Sequence, residues 1–171
     1  AAVLGNNDRT LPEDNLGKLE GAMYAAGVVP LVNSVERLKV GTSYLYIAGI
    51  DDVNNGFPDV AGVAAQVAKE DFVIFMSHSP AALADAVNAV DRNGAKNWFD
   101  LALCGHTHGG QVSIFGRPLF DFAQSSGRYV QGWYELNRAS VLVTNGVGTS
   151  KFPVRLGAVP QIHVITLKYG R

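Results

Sequence analysis

Three short polar segments carry residue types that bind metal ions, and each segment follows an apolar run. They are Gly5-Asn6-Asn7-Asp8, Ser77-His78-Ser79 and Gly105-His106-Thr107-His108, which together hold three of the four histidines in the chain. Imidazole nitrogens and amide oxygens suit Zn, Mn, Fe and similar divalent ions. The pattern therefore predicts a metal site with four candidate ligands: Asn6, His78, His106 and His108.

Each segment taken alone also has a purely structural interpretation. A lone histidine after a strand, such as His78, is more often hydrogen-bonded within the fold, and an Asn before Asn7-Asp8 is common turn chemistry. The His-x-His pair is more specific, because an extended loop can turn both rings to one side, where each ring meets a different ion. Glycines beside the pair permit positive φ angles and close approach of a substrate.

The apolar runs predict the elements that position these segments. Residues 72–76 form a continuous apolar run, which is typical of a strand buried on both faces, and residues 99–104 are predicted to form another buried strand. In an open α/β sheet, ligands bind at the carboxyl ends of strands, where the polar segments lie. Further strands are predicted at 2–5, 28–32, 36–40, 43–50, 130–136, 140–144 and 161–168, and helices at 11–26, 59–69 and 81–90. This mixed order favours an α/β fold with one sheet layered on another.

Composition limits the classes of protein to which the chain can belong. Its 171 residues, with 47% hydrophobic and 17% charged, predict a single domain over residues 1–171 with a sizeable core. A net charge of −1 without basic clusters argues against nucleic-acid binding. The single Cys104 excludes an internal disulfide and a zinc ribbon. The chain opens on Ala1 inside an apolar run, so we expect an N-terminal segment of the same protein to precede it, and its compartment stays open.

The order of the polar segments resembles the C-terminal portion of the calcineurin-like metallophosphoesterases. The closer resemblance is to their YkuE-like bacterial phosphodiesterase branch, in which Gly-His-Thr-His is followed by Gly-Gly-Gln, as at Gly109-Gly110-Gln111. That branch also carries later stretches similar to residues 145–150, 153–156 and 160–167. The resemblance therefore covers nearly the whole chain.

The resemblance implies an α/β sandwich of two mixed β-sheets flanked by helices, of which this chain forms about the second half. It also implies a metal-dependent phosphoesterase with two divalent ions. Asn6, His78 and His106 would bind one ion, and His108 the other. A metal-activated hydroxide would attack the phosphorus of a phosphomonoester or phosphodiester. The sequence does not identify the substrate, and a phospholipid-type headgroup is one class.

Two departures from the family pattern bear on activity. Many members carry a His that protonates the leaving group where this chain has Asn7, and an amide cannot act as a general acid near pH 7. The family's Asp-x-His and Gly-Asp-x-x-Asp motifs, which supply the remaining metal ligands, should lie upstream of Gly5 and are not in this sequence. These departures favour one alternative, a degenerate, non-catalytic binding or scaffold protein. A mononuclear metallohydrolase that places three histidines on one ion is another.

Other residues have weaker claims to a role. Asp51-Asp52 follows a predicted strand and either edges the site or belongs to a loop, while His163 is interpreted as structural. Three arginines have the donor geometry for phosphate, although surface solvation is favoured for each: Arg117, Arg128 and Arg155. Five aromatic residues are interpreted as core, with an apolar lip for a lipid-like substrate as the alternative: Phe115, Phe120, Phe122, Tyr129 and Trp133.

Overall fold

A computed structural model of the chain describes residues 1–114, 117–118 and 129–168. The strands are β1 (Ser34–Val40), β2 (Ser43–Gly49), β3 (Phe72–Ser77), β4 (Leu101–Cys104), β5 (Ser113–Ile114), β6 (Arg117–Pro118), β7 (Gly132–Leu136) and β8 (Ala139–Val143). Six of them form one mixed sheet in the order β1-β2-β3-β4-β8-β7, and β5 pairs with β6 in a separate two-stranded sheet. This arrangement confirms the predicted α/β class with a mixed sheet.

The direction of the strands explains how the polar segments come together. Strands β2, β3, β4 and β8 are parallel neighbours, whereas the two edge strands β1 and β7 run antiparallel. The carboxyl ends of the four parallel strands therefore lie along one edge of the sheet. The loops that contain Asp52, His78, His106 and Asn145 all leave the sheet at that edge.

The helices are short except for the first one. They are α1 (Glu13–Ala25), α2 (Val60–Ala64) and α3 (Leu83–Ala86), with 3-10 turns at Asp8–Thr10, Pro80–Ala82 and His108–Gly110. Inward-facing side chains of the sheet pack with α2 and α3 into one hydrophobic core. Its aromatic centre is Phe75, whose ring packs edge-on against Trp98 with a centroid distance of 5.2 Å. Within the described residues, no helix is both long and apolar enough to cross a membrane.

Five predicted elements differ from the structure, and two of them are the strands predicted at 2–5 and 28–32, where only an isolated bridge joins Ala2 and Pro30. The helix predicted at 59–69 is confined to α2, whose N-terminus is capped by the Asp59 carboxylate accepting from the Gly62 amide. The helix predicted at 81–90 breaks into the turn Pro80–Ala82 and α3. The strand predicted at 161–168 is wrong, because these residues form no strand and Ile162 and Val164 are 86% and 93% exposed. Alternating apolar residues form a strand only where a neighbouring strand is available to hydrogen-bond with them.

Candidate metal centre

The loops after β3 and β4 are joined to each other by their backbones. The amide of Gly105, just after β4, donates to the carbonyl of His78 at 2.9 Å. On the other side, the Ser77 hydroxyl donates to the Ser79 carbonyl at 2.9 Å and tightens the turn that follows β3. These bonds place the backbones of His78 and His106 side by side at the carboxyl edge of the sheet.

Asn6, His78 and His106 meet in one cluster, which we call the His78 cluster. The His78 Nε2 atom lies 3.0 Å from the Asn6 Oδ1 atom and 3.1 Å from the His106 Nδ1 atom. The two imidazole rings are 4.9 Å apart between centroids and meet edge-on. Three side chains that lie up to 100 positions apart in the chain therefore present their donor atoms to one another.

Gly5 makes room for the His78 ring. A Cβ atom at this position would lie 2.8 Å from the imidazole Cε1 atom, which is closer than van der Waals contact allows. The Gly5 amide donates to the Asp8 carboxylate at 2.8 Å. The side chain of Asp8 therefore closes the turn that carries Asn6. The small residue before Asn6 is thus a steric requirement of the cluster.

Both histidines of the His-x-His pair have a left-handed backbone. The φ angles are 67° at His106 and 52° at His108, and Gly109 follows at 62°. Non-glycine residues rarely adopt this region, and such conformations concentrate at functional sites. The fully buried Thr107 between them fixes the loop, since its hydroxyl donates to the Val130 carbonyl at 2.6 Å.

His108 lies apart from the His78 cluster, in contact with a different loop. Its Nδ1 atom lies 3.3 Å from the Gly148 carbonyl oxygen, in the loop that follows β8. It nevertheless stays beside the cluster in the chain, because only Thr107 separates it from His106. The four predicted ligands therefore occupy one region, three of them in contact and the fourth beside them.

Arg155 holds the loop beside His108 through its guanidinium group. It donates to the carbonyls of Asn145 at 2.6 Å, Gly148 at 2.8 Å and Ala158 at 3.0 Å, and a fourth bond reaches the His108 carbonyl at 3.3 Å. Surface solvation, the favoured interpretation from sequence, is therefore wrong for Arg155. Its partners are backbone carbonyls, which makes its role the shaping of this loop.

Gln111 makes a second connection to the same part of the chain. Its fully buried side chain accepts from the Ser150 amide at 2.6 Å and donates to the Ser150 and Phe152 carbonyls at 3.0 and 2.9 Å. The Gly-Gly-Gln segment and the stretch at 145–155 are thus hydrogen-bonded to each other, although no local sequence pattern connects them. The Gly-Gly-Gln sequence supports the resemblance to the YkuE-like branch, but it does not predict which residues Gln111 contacts.

Asp51 and Asp52 follow β2 and have different roles. Asp51 is a loop residue, whose carboxylate accepts from the Arg9 guanidinium at 2.5 Å and from the Phe57 amide at 2.9 Å. Asp52 is fully buried, and its Oδ1 atom has no hydrogen-bond partner. The sequence left open, for both residues, a place at the edge of the site or a role in the loop. In the structure Asp51 stabilises the loop, whereas Asp52 is buried with one oxygen unpartnered.

Burial controls the protonation of the three histidines. It lowers the pKa of His78, and the charge of His106 lowers it further, while Asp52 and Asp8 oppose the shift. Burial likewise lowers the pKa of His106, against an opposing effect of Asp52. For His108, burial lowers the pKa and the Gly148 carbonyl opposes the shift. Neutral imidazoles keep a lone pair free, which is the form that binds metal ions.

The donor set of the His78 cluster fits a divalent ion in part. An amide oxygen and two neutral imidazoles converge, and a buried carboxylate oxygen without a partner belongs to the same region. Among residues 1–114 and 129–168, however, no group of three or more His, Cys, Asp or Glu side chains has a metal-holding arrangement. The described residues therefore bring together one amide oxygen and two imidazoles, and His108 lies outside this cluster.

The remaining candidates are not part of the His78 cluster, and some lie outside the described residues. Asn7 is exposed and precedes the turn Asp8–Thr10, to which its carbonyl is hydrogen-bonded. Tyr129 packs against Tyr134 with a centroid distance of 5.1 Å, and Trp133 is 57% exposed. Outside the described residues lie the side chain of Arg117 and the whole of Phe115, Phe120, Phe122 and Arg128.

Comparison with known proteins finds relatives that are named as metallophosphoesterases. The chain is 32% identical to the metallophosphoesterase YkuE of Bacillus subtilis, over 85% of this chain and 49% of that protein. Over most of its length the chain is therefore similar to a protein named as a metallophosphoesterase. It is also 30% identical to YpbG of Bacillus subtilis, over 96% of this chain and 57% of YpbG. The phosphodiesterase YaeI of Escherichia coli is 28% identical, over 97% of this chain and 57% of YaeI.

The extent of these matches limits what they show. The chain spans about half the length of the curated relatives that it matches. No protein-family model matches it. The solved structure of the sulfate thiohydrolase SoxB from Thermus thermophilus matches with a TM-score of 0.44 and 18% identity, over 79% of this chain and 26% of that one, a likeness too distant to support an argument.

Proposed function

We propose that the protein containing this chain is a metal-dependent phosphoesterase, which hydrolyses a phosphomonoester or phosphodiester at a two-metal site. The observation that carries the proposal is the His78 cluster, in which Asn6, His78 and His106 come from three separate loops and bring their donor atoms within 3.1 Å of each other. The names of the metallophosphoesterase relatives support the reaction class.

Each residue of the proposed site has a separate task. Asn6 offers an amide oxygen, and His78 and His106 offer neutral imidazole nitrogens, as ligands for one ion. His108 is the ligand that this chain offers to the second ion. When bound, such ions polarise a phosphoryl oxygen and lower the pKa of a bound water. Since one protein ligand holds an ion poorly, the second ion requires residues beyond those described here.

Protonation of the leaving group is the step that this chain supports least. Asn7 lies exposed beside Asn6 and donates at most a hydrogen bond, because an amide has no proton to transfer near pH 7. A missing general acid costs about 10²–10⁴-fold in rate for a poor leaving group. We therefore propose a substrate whose leaving group needs little protonation.

Apolar side chains exposed on the loops at the same sheet edge bear on the substrate class. Phe57, in the loop after β2, is 88% exposed, and Val147, in the loop after β8, is 64% exposed. The backbone of Phe57 is held on both sides, by Asp51 and by Asn33, so its ring is presented from a fixed loop. These side chains favour a substrate with an apolar part, for which a phospholipid-type headgroup is the candidate.

The test is metal analysis of the full-length protein combined with hydrolysis of bis(p-nitrophenyl) phosphate. We expect Asn6→Ala and His106→Ala to lower both metal content and rate. His163→Ala and Asn88→Ala are the matched controls, since they remove the same side chains outside the three polar segments. If neither site variant lowers metal content or rate, the assignment of the site is wrong.

The non-catalytic alternative is favoured by one observation, the amide at Asn7. It predicts normal metal binding without turnover of any phosphoester. The variant Asn7→His separates the two: in an enzyme it should raise the rate with poor leaving groups such as alkyl phosphodiesters and change the rate with p-nitrophenyl esters little. A mononuclear metallohydrolase is separated from both by metal stoichiometry, one ion per full-length chain instead of two.

A further inference from the structure

Asp52 is a fully buried carboxylate that lacks half of its hydrogen bonds. Its Oδ2 atom accepts from the Asn54 and Asn55 amides at 2.9 and 2.8 Å, as expected for a residue that opens a turn. Its Oδ1 atom is buried and has no partner. A buried carboxylate oxygen without a partner destabilises a folded protein unless a positive charge lies close to it.

Two other buried carboxylates in the chain show that this deficit is specific to Asp52. Asp51 engages both oxygens with Arg9 and with backbone amides. Asp91, far from the site, accepts from the amides of Lys69, Asn93 and Ala95 at 2.7–2.8 Å. The fold therefore satisfies its buried carboxylates elsewhere, and the free oxygen of Asp52 needs a separate explanation.

Asp52 belongs to the immediate surroundings of the His78 cluster. The turn that begins at Asp52 contains Asn55, whose side chain donates to the Asn6 carbonyl at 2.9 Å. The strand before Asp52 is also the parallel neighbour of the strand before His78, and the Ile50 amide donates to the Met76 carbonyl at 3.3 Å where the two strands end. Asp52 is thus connected to Asn6 through a turn and to the loop of His78 through neighbouring strands.

We propose that Asp52 is a positioning residue of the metal centre, whose unpartnered Oδ1 supplies the negative charge that stabilises a divalent ion on His78 and His106. The proposal rests on the metal role given to these histidines above. An amide and two neutral imidazoles bring no charge to a partly buried dication, so a nearby anion is required to offset its desolvation. The ion in turn provides the positive charge that the buried carboxylate lacks.

The experiment compares Asp52→Asn with the wild type in the full-length protein, stripped with EDTA and titrated with Mn²⁺ or Zn²⁺ by calorimetry. The substitution keeps the shape and one acceptor for the turn amides but removes the charge. We expect metal affinity at the His78 cluster to fall about 10–100-fold, the range found for partners of metal ligands. Asp91→Asn, a buried carboxylate outside the site, should leave metal affinity unchanged.

Thermal unfolding provides a second measurement. Its expected result differs from the result expected if Asp52 only stabilised the fold. In EDTA, Asp52→Asn should unfold at the wild-type temperature or above it, since a buried unpaired charge has been removed. With metal added, its stabilisation should be smaller than that of the wild type. Asp52→Ser carries the same expectation.

The outcomes separate this proposal from the proposed function. Unchanged metal affinity in Asp52→Asn, or unfolding of both Asp52 variants in EDTA at lower temperature than the wild type, would overturn the role of Asp52 alone. Unchanged metal affinity in His106→Ala would instead overturn the metal role of the cluster. Reduced affinity in His106→Ala and in Asp52→Asn, with Asp91→Asn unchanged, supports both.

Discussion

His106 and His108 are separated by one residue, and they lie in two different environments. His106 is held by side chains, since its Nδ1 atom contacts His78, which in turn contacts Asn6. His108 is held by backbone, since its Nδ1 atom contacts the carbonyl of Gly148. Left-handed backbone at both histidines turns the loop between these two surroundings.

The difference shows that one short motif serves two structural units. The His78 cluster depends on the neighbouring parallel strands β3 and β4, whose carboxyl ends bring His78 and His106 together. The surroundings of His108 depend on the loop at 145–158, which is fixed by Arg155 and Gln111. If the proposed two-metal site is correct, changes to one unit should affect one ion more than the other.

The largest expected effect distinguishes the two histidines directly. His106→Ala should lower metal binding to the His78 cluster by more than the ~10–100-fold that loss of a ligand's partner costs, because a ligand itself is removed. His108→Ala should leave that ion bound and lower the occupancy of the second. The measurement is metal content per full-length chain after dialysis. Equal losses in both variants would mean that the histidines share a single ion.

A smaller effect is expected from crowding the cluster without removing a ligand. Gly5→Ala places a methyl group against the His78 ring and should lower metal affinity about tenfold by displacing it. Gly17→Ala is the matched control, because a Cβ atom there meets nothing within 4 Å in the middle of α1. The control should stabilise the protein by about 0.5–1 kcal/mol and leave metal affinity unchanged. Equal metal titrations for the two variants would contradict the steric role of Gly5.

The sequence predicted the strands that lead to the candidate site better than the contacts around it. Apolar residues indicated the strands β3 and β4, and the polar residues that follow them indicated His78 and His106 as candidates. Both features can be recognised within a few consecutive residues of the sequence. The free oxygen of Asp52 and the five bonds of Arg155 depend on residues distant in the chain. No local pattern encodes such contacts. The strand predicted at 161–168 was wrong for the same reason, because alternating apolar and polar residues do not show whether a neighbouring strand is available for pairing.

The loop at 145–158, which surrounds His108, can be destabilised by a substitution at Arg155. Arg155→Lys removes the planar group that reaches several backbone carbonyls at once, and an ammonium cannot replace all of these bonds. We expect the free energy of unfolding to fall by about 2–3 kcal/mol. Metal affinity of the His78 cluster should change little. Arg92→Lys, which alters a half-exposed ion pair with Asp71, should cost less than about 1 kcal/mol. Urea unfolding in EDTA measures both.

The smallest effect concerns pH. Since burial lowers the pKa of His78, His106 and His108 in the folded protein, the unfolded chain binds more protons as the pH falls. The stability that neutral rings contribute is therefore fully present above the unfolded value, about 6.5, and is lost as the pH falls through the lower folded values. In EDTA, the urea midpoint should decrease below about pH 6.5. A midpoint that rises over that interval would contradict the lowered values.

The two units also differ in how strongly they act on His78 as the pH changes. The charge of His106 contributes more to the lowered pKa of His78 than the charge of His108 does. His106→Ala should therefore raise the pKa of His78 more than His108→Ala, as followed by NMR titration of the ring signals in EDTA. His163→Ala, in the chain segment after β8, serves to assign the remaining histidine signal. Equal shifts in the two site variants would show that His108 is coupled to the cluster as closely as His106, and the division into two units would then fail.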